Sequence, residues 1–196
     1  MAAGIPDRVH TPRIRVTEPG PPLEAPAPVA LIPGSRVATK RWPRHRWTTL
    51  AARLRAAGQA VVWVGGPGEA PLAGDAGPAV FGASLAATAG LLARCRLAVG
   101  GDSGLLHLAR AVGTPVVMLF GPTSAAPHPP DAGRSDVARA DLPCRPCSPH
   151  GPARCPLGHH GCLADLLPET VLAAVEEGAN TSAMLEGVGW PKASRS

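Results

Sequence analysis

The sequence contains no tyrosine and two phenylalanines, and aromatic residues make up 3% of its 196 residues. Proteins that bind single-stranded nucleic acid stack bases on aromatic side chains, and no zinc-finger or zipper pattern for duplexes is present. Nucleic acid is therefore not an expected partner.

No apolar run approaches the roughly 20 residues that cross a bilayer, and the first residues lack the apolar core of a signal peptide. We expect a cytoplasmic protein without a transmembrane segment.

Lysine is scarce as well. Lys40 and Lys192 are the two lysines in a chain of formal net charge +5, so arginine carries most of the positive charge. Much of that charge lies between residues 36 and 55, which favours an anionic ligand such as a phosphate or diphosphate. The alternative is a solvated basic face of a helix, and we prefer that interpretation for Arg53 and Arg55.

Hydrophobic residues make up 45% of the chain and charged residues 17%, which is typical of a globular domain. The 24 prolines are clustered and leave the stretches between them free to form regular elements. Residues 1–28 are Pro-rich and aperiodic, and we interpret them as a linker or the remnant of an upstream domain. Residues 29–180 are the predicted domain, and residues 181–196 a flexible tail.

Unbroken apolar runs alternate with segments of helical spacing from residue 29 onwards. We predict strands at 29–32, 60–64, 79–81, 97–100, 115–120 and 136–140. We predict helices from about Trp47 to Gly58 and at 85–95, 103–112 and 168–177. Strands without alternation are buried on both faces, and strands interleaved with helices pair in parallel. The predicted fold is α/β, a Rossmann-like doubly wound parallel sheet.

Ligands of such sheets bind where loops leave the carboxyl ends of the strands. The first such loop contains Gly34 and Ser35 and is followed by Lys40, which together offer backbone N–H groups, a hydroxyl and a positive charge to an anion. An ordinary turn before a surface helix is an equally good interpretation of this loop. In the second loop Glu69 follows three glycines, where it could bind a sugar hydroxyl or simply begin a helix.

The third loop leads from a strand into a helix through Asp102 and Ser103, either of which can cap the helix. His107 follows within the first turn and a half. Because Asp102 and His107 are five positions apart, we do not expect them on one helical face. A capping aspartate with a half-buried histidine is the simpler interpretation of this segment taken alone.

Together these segments resemble the C-terminal domain of glycosyltransferase family 9, the lipopolysaccharide heptosyltransferases. The matching motifs are Ser35 with Lys40-Arg41-Trp42-Pro43, then Gly66-Pro67-Gly68-Glu69, then Gly101-Asp102-Ser103-Gly104-Leu105-Leu106-His107-Leu108-Ala109, and then Pro115 to Gly121-Pro122-Thr123. Their order, spacing and strand–helix context agree over residues 29–175. The resemblance implies the C-terminal half of a type-B glycosyltransferase, in which two Rossmann-like domains face each other across a cleft.

The resemblance also implies a binding site for the donor ADP-heptose. Ser35 and Lys40 would contact the diphosphate, and Glu69 would bind the adenosine ribose. The acceptor would be the lipopolysaccharide inner core, which would place the enzyme at the inner face of the cytoplasmic membrane. The family's N-terminal domain, which binds the acceptor and supplies the general base, has no counterpart in residues 1–28. The chain alone is therefore expected to be inactive in transfer.

The same resemblance assigns the third loop. Asp102 would hold heptose hydroxyls, while Ser103, Gly104 and His107 would lie against the diphosphate. Lys40 and Asp102 are the candidate catalytic residues. No metal cofactor is expected for catalysis, since Lys40 and oriented N–H groups can stabilise a leaving diphosphate and no Asp-x-Asp motif is present.

A cysteine-rich segment at 144–162 contains a further candidate site. Cys144, Cys147, Cys155 and Cys162 could bind one structural zinc ion, since a C-x-x-C pair suits tetrahedral coordination. Reduced thiols without a ligand are an equally good interpretation, and Cys95 is expected in the core. Two other functions stay open: an inactive nucleotide-sugar-binding fragment, and a zinc-stabilised interaction module.

Overall fold

The computed structural model describes residues 13–126, 133–139 and 141–186. The elements observed there are strands β1 (Val29–Ile32), β2 (Val61–Gly65), β3 (Ala79–Phe81), β4 (Leu97–Gly101), β5 (Val116–Phe120) and β6 (Arg134–Ala138), and helices α1 (Arg44–Ala56), α2 (Leu85–Leu92), α3 (Gly104–Ala111), α4 (Gly161–Ala164) and α5 (Pro168–Glu186). Every predicted strand and helix is present, and the ends shift by at most three residues except in the last helix, which is longer than predicted. Helix α4 and the 3₁₀ turns Ala38–Lys40 and Ala70–Leu72 are not predicted, because they are too short to show a periodicity.

The six strands form one sheet in the order β3-β2-β1-β4-β5-β6, and all neighbours are parallel. This is the strand order of the dinucleotide-binding folds. The chain crosses from one half of the sheet to the other between β3 and β4, so β1 and β4 lie side by side at the point where the order reverses. Loops leaving this pair of strands diverge, and ligands of open α/β sheets bind in the crevice between them.

Helices cover both faces of the sheet. Alternate residues of β1 point to opposite faces, so that Leu31 packs with α1 and α5 while Ile32 packs with α2 and α3. Trp47 and Trp63 lie in the α1/α5 layer, where their rings are 6.4 Å apart and nearly perpendicular. The four inner strands, β1, β2, β4 and β5, are buried on both faces, as their unbroken apolar runs predict. The edge strands β3 and β6 are partly exposed.

Two segments differ from their predicted boundaries. The last helix continues through Glu186, so residues 181–186 belong to α5 rather than to a tail, and residues 187–196 lie outside the described part of the chain. Helix α2 ends at Leu92 rather than at Cys95, which lies in the turn before β4 and is 7% exposed. Burial raises the pKa of the Cys95 thiol to about 12, which agrees with its predicted place in the core.

The Pro-rich segment also differs from a free linker over its described part, residues 13–28. Its backbone packs against α2 and α3: Ile14 donates its N–H to the carbonyl of Ala111 at 3.0 Å, and Arg94 donates to the carbonyl of Pro21. Residues 1–12 lie outside the described part. None of the helices in the described residues is both long and apolar enough to cross a lipid bilayer.

Candidate functional site

An ion pair lies at the carboxyl ends of β1 and β4. Lys40 ends the 3₁₀ turn that follows β1, and Asp102 comes directly after β4. The Lys40 Nζ donates to Asp102 Oδ2 at 2.7 Å, and the two side chains are 14% and 10% exposed. A side chain on Gly101 could not fit, since its Cβ would lie 2.6 Å from the Lys40 carbonyl oxygen. The close approach of these two backbones brings the pair together.

Asp102 is bound on both carboxylate oxygens. His107 Nε2 lies 3.1 Å from Oδ1, and the Thr123 hydroxyl donates to Oδ2 at 3.1 Å. A carboxylate only accepts, so His107 must donate through Nε2. Burial opposes ionisation of Asp102, but the hydrogen bonds from His107 and Lys40 outweigh it and hold the pKa of the carboxyl well below its usual range. Asp102 and His107 contact each other without sharing a helical face, because Asp102 precedes the helix.

The amino end of α3 faces the same crevice. Ser103 caps the helix with its backbone carbonyl, which accepts the N–H groups of Leu106 and His107. Its hydroxyl makes no capping bond, and in the part of the chain that the structure describes it is a buried oxygen without a hydrogen-bond partner. Gly104 begins the helix beside open space, with no atom within 4 Å of where a Cβ would lie. N–H groups at such a helix end attract anions.

Ser35 and Glu69 lie at the same edge of the sheet. The Ser35 hydroxyl accepts the N–H of Val37 at 3.4 Å, which folds its own loop. The carboxylate of Glu69 lies over the end of β1, so closely that a Cβ on Gly34 would be 1.9 Å from it. Glu69 also accepts the N–H of Gly66 at 2.8 Å. The structure thus brings the predicted residues of all three loops to one edge.

Two residues of this site went unassigned in the sequence analysis. Thr123 was quoted within a motif but given no role, because its partner Asp102 lies 21 positions away. His160 has no role predicted from the sequence, but its Nε2 lies 2.7 Å from the carbonyl oxygen of Thr39, the residue before Lys40. Such contacts depend on loop conformation and have no signal in the sequence pattern.

The cysteines of residues 144–162 are close in the chain but not assembled as a metal site. Among the described residues, no group of three or more His, Cys, Asp or Glu side chains is placed to hold one metal ion. Cys144 Sγ lies 3.9 Å from His159 Nε2. The backbone N–H of His160 donates to Cys155 Sγ at 3.4 Å and lowers the pKa of that thiol, while burial raises the pKa of Cys162. The four thiols are thus not gathered around one point, and the zinc site stays a prediction.

Arg53 agrees with its predicted solvated position. It forms an ion pair with Glu169 at 2.5 Å in which the two side chains are 47% and 51% exposed.

Comparison with known proteins connects this geometry to one family. The sequence profile of glycosyltransferase family 9 (heptosyltransferase) matches residues 17–153, more than half of the chain. Lipooligosaccharide heptosyltransferase 2 of Haemophilus influenzae is 30% identical over 166 residues, which cover 76% of this chain and 46% of that protein. Lipopolysaccharide heptosyltransferase 1 of Pseudomonas aeruginosa is 36% identical over 139 residues, which cover 66% and 37%. The chain spans less than half the length of these relatives.

Solved structures share the fold. ADP-heptose lipopolysaccharide heptosyltransferase II of E. coli superposes with a TM-score of 0.67 at 23% identity, covering 82% of this chain and 48% of that one. The dodecameric iron-containing heptosyltransferase TibC, in complex with ADP-D-beta-D-heptose, superposes with a TM-score of 0.71 at 19% identity, covering 87% and 49%. The observed sheet is therefore that of half a type-B glycosyltransferase. By its sequence, its fold and the order of its motifs, the chain belongs to glycosyltransferase family 9.

Proposed function

We propose that this chain is the donor-binding domain of a heptosyltransferase, which binds ADP-heptose or a similar nucleotide sugar. The observation that carries the proposal is the Lys40–Asp102 ion pair, 2.7 Å long and largely buried, at the reversal point of the sheet. A buried lysine at this point is positioned for an anionic ligand. The relatives named above are heptosyltransferases, which supports the same function.

The diphosphate is proposed to lie between Lys40 and the amino end of α3. Lys40 has three N–H donors, and Asp102 accepts one of them. The Ser103 hydroxyl, which has no hydrogen-bond partner among the described residues, is a further donor. The open space at Gly104 leaves room for a phosphate beside the N–H groups of α3. A diphosphate that leaves gains negative charge, so fixed donors at this position stabilise the transition state more than the ground state. Lys40, Ser103 and the amino end of α3 would thus stabilise the leaving diphosphate.

Asp102 is proposed to bind sugar hydroxyls as well. Its carboxylate accepts hydrogen bonds from His107, Lys40 and Thr123, and an ionised carboxylate is an acceptor that suits a hydroxyl donor. Glu69 is the proposed ribose ligand.

Transfer to a lipopolysaccharide acceptor is proposed to need a second domain, which binds the acceptor and supplies the general base. Correct placement of two reactants can account for roughly 7–11 kcal/mol of a barrier, and Lys40 and α3 cannot orient an acceptor hydroxyl. The 196-residue chain should therefore bind donor without transferring it. An assay of ADP release tests this, and acceptor-dependent release by the pure chain would contradict it.

A second proposal concerns the four cysteines, which we infer can close around one structural zinc ion. The observation that favours it is the backbone N–H aimed at Cys155 Sγ, because thiolates are the form that binds metals. The side chains would have to move closer than the structure places them. Elemental analysis of protein purified under reducing conditions should find about one equivalent of zinc. Iron should be measured in the same sample, because TibC is described as iron-containing. If the purified protein contains no metal and a chelator does not change its melting temperature, the cysteines are reduced thiols without a ligand.

Calorimetric titration with ADP tests the donor site. Lys40→Ala should weaken binding by about 1.5–3 kcal/mol, the usual cost of losing a charged hydrogen bond. Arg53→Ala is the matched control, since it also removes one positive charge but from an exposed pair with Glu169. It should bind ADP as the unaltered chain does. If the folded Lys40→Ala variant binds ADP as tightly as the unaltered chain, Lys40 is not part of the site. If the unaltered chain does not bind ADP, the zinc-stabilised interaction module is favoured instead.

A further inference from the structure

The cysteine segment, residues 144–162, contacts the backbone that presents Lys40. The Thr39 hydroxyl donates to the carbonyl of Pro152 at 2.5 Å, and His160 Nε2 lies 2.7 Å from the Thr39 carbonyl oxygen. A carbonyl oxygen only accepts, so Nε2 of His160 carries the hydrogen. Thr39 is 6% exposed, which keeps water away from both bonds. The residue before Lys40 is thus held on its side chain and on its carbonyl by one segment.

The same segment also touches the side chain of Lys40. A Cβ on Gly151 would lie 3.0 Å from Lys40 Cε and 3.2 Å from its Cγ, so the Gly151 backbone packs directly on the lysine stem. Gly151 has a φ of +85°, a conformation that glycine adopts at little cost. Its N–H is held by the Ser148 hydroxyl at 3.0 Å. This contact limits the rotamers that Lys40 can adopt.

The start of the segment supports the opposite side of the ion pair. Arg145 donates to the carbonyl of Gly121 at 2.5 Å and contacts that of Thr123 at 3.4 Å. The N–H of Cys147 donates to the carbonyl of Pro122 at 3.0 Å. Thr123 in turn donates to Asp102. The segment therefore contacts the loop that carries Lys40 and the loop that carries Thr123, which binds Asp102, the partner of Lys40.

From these contacts we infer that His160 is a positioning residue for Lys40, and that the cysteine segment fixes the lysine ammonium at the donor diphosphate. His160 touches no atom of the proposed ligand site; it acts by fixing the carbonyl of Thr39. His160 has a φ of +49°, which is uncommon for a residue with a side chain and is maintained where surrounding contacts require it. The inference rests on the proposed donor site, since it assigns a purpose to a lysine that binds phosphate.

Two substitutions of His160 separate positioning from general stability. His160→Leu removes the donor to the Thr39 carbonyl, whereas His160→Gln keeps an N–H near the place of Nε2. His160→Leu should weaken ADP binding about tenfold, as expected for one lost hydrogen bond, and His160→Gln should recover most of the affinity. His159→Leu is the control within the segment, because its described partners are Gly161 and Cys144 and not the Lys40 loop. It should bind ADP normally, with the same metal content as the other variants.

A double substitution then tests whether His160 acts through Lys40. In the Lys40→Ala background, His160→Leu should have no further effect on ADP affinity, because the group that it positions is gone. If His160→Leu weakens ADP binding as much in the Lys40→Ala background as in the unaltered chain, the inference is wrong but the donor site stands. The same holds if folded His160→Leu binds ADP normally. If the unaltered chain does not bind ADP, both the inference and the donor site are wrong. If His160→Leu does not fold, Thr39→Val tests the other bond between the cysteine segment and the Lys40 loop, the one from the Thr39 hydroxyl to the carbonyl of Pro152. It should also weaken ADP binding, and unchanged affinity would overturn the claim that the segment positions Lys40.

Discussion

Asp102 shows how a residue with an ordinary local explanation acquires a different one in the folded chain. As a helix cap it would accept N–H groups of α3, but its carboxylate instead binds Lys40, His107 and Thr123. The residue types of the site were predictable from the sequence, because Gly, Ser and Lys after a strand suit an anion. Their pairing was not, since a 2.7 Å contact between Lys40 and Asp102 depends on which strands are neighbours.

The ionised state of Asp102 predicts a specific loss of stability in acid. Its pKa is lower in the folded chain than the roughly 3.9 of an unfolded aspartate. A depressed pKa contributes stability above the unfolded value, and that contribution is lost as the pH falls through the folded value. Asp102→Asn should therefore melt at a lower temperature than the unaltered chain at pH 7, and the difference should shrink below about pH 4.

Asp141→Asn is the control for that measurement. Hydrogen bonds from Arg139 lower the pKa of Asp141 to about 2, but Asp141 is exposed and salt screens it. In high salt the acid dependence that remains should belong to Asp102. A difference in melting temperature that stays constant from pH 7 to pH 3 would show that Asp102 contributes packing rather than charge.

At the scale of elements, the strands were predicted most accurately. β1 begins and ends where its apolar run does, because residues buried on both faces leave an unbroken signal. β3 also has its predicted bounds, although its three residues are exposed or half-buried. Helix α4 has four residues, which is too short for a periodicity, and it was missed. The docking of residues 13–28 was missed for another reason: an aperiodic segment shows no pattern, and several of its contacts are made by backbone atoms.

Gly90 tests whether the Pro-rich segment is part of the domain. Gly90 lies in α2, and a Cβ there would be 1.9 Å from the Glu18 carbonyl oxygen. Gly90→Ala should therefore lower the free energy of unfolding by about 1–3 kcal/mol, the usual cost of overpacking. If residues 13–28 were an undocked linker, the same change would stabilise the chain, because alanine favours helices over glycine. The sign of the change in a denaturation experiment separates the two.

Gly68→Ala is the matched control for this change. No atom lies within 4 Å of a Cβ at Gly68, so the substitution adds the same methyl group without a contact. It should leave the denaturation midpoint almost unaltered.

At the scale of the whole molecule, the strand order explains why the site is where it is. The crossing from β3 to β4 places β1 beside β4, and the loops after these strands carry Lys40 and Asp102 to the same crevice. The alternation of strands and helices predicts a doubly wound sheet but not which strands meet at its centre. The polar residues of the family's motifs lie at the carboxyl edge of the sheet. Their apolar residues, such as Trp42 and Leu106, pack in the two core layers.

A crystal structure of the chain with ADP bound would decide whether the donor diphosphate binds between Lys40 and the amino end of α3. The account predicts that a phosphate oxygen lies within hydrogen-bond distance, about 2.7–3.2 Å, of Lys40 Nζ and of the backbone N–H groups at the amino end of α3. Ser103 should gain the partner that its hydroxyl lacks among the described residues. A phosphate bound elsewhere, such as in the cavity beside Arg55 and Pro78 at the opposite edge of the sheet, would contradict the donor site proposed at Lys40.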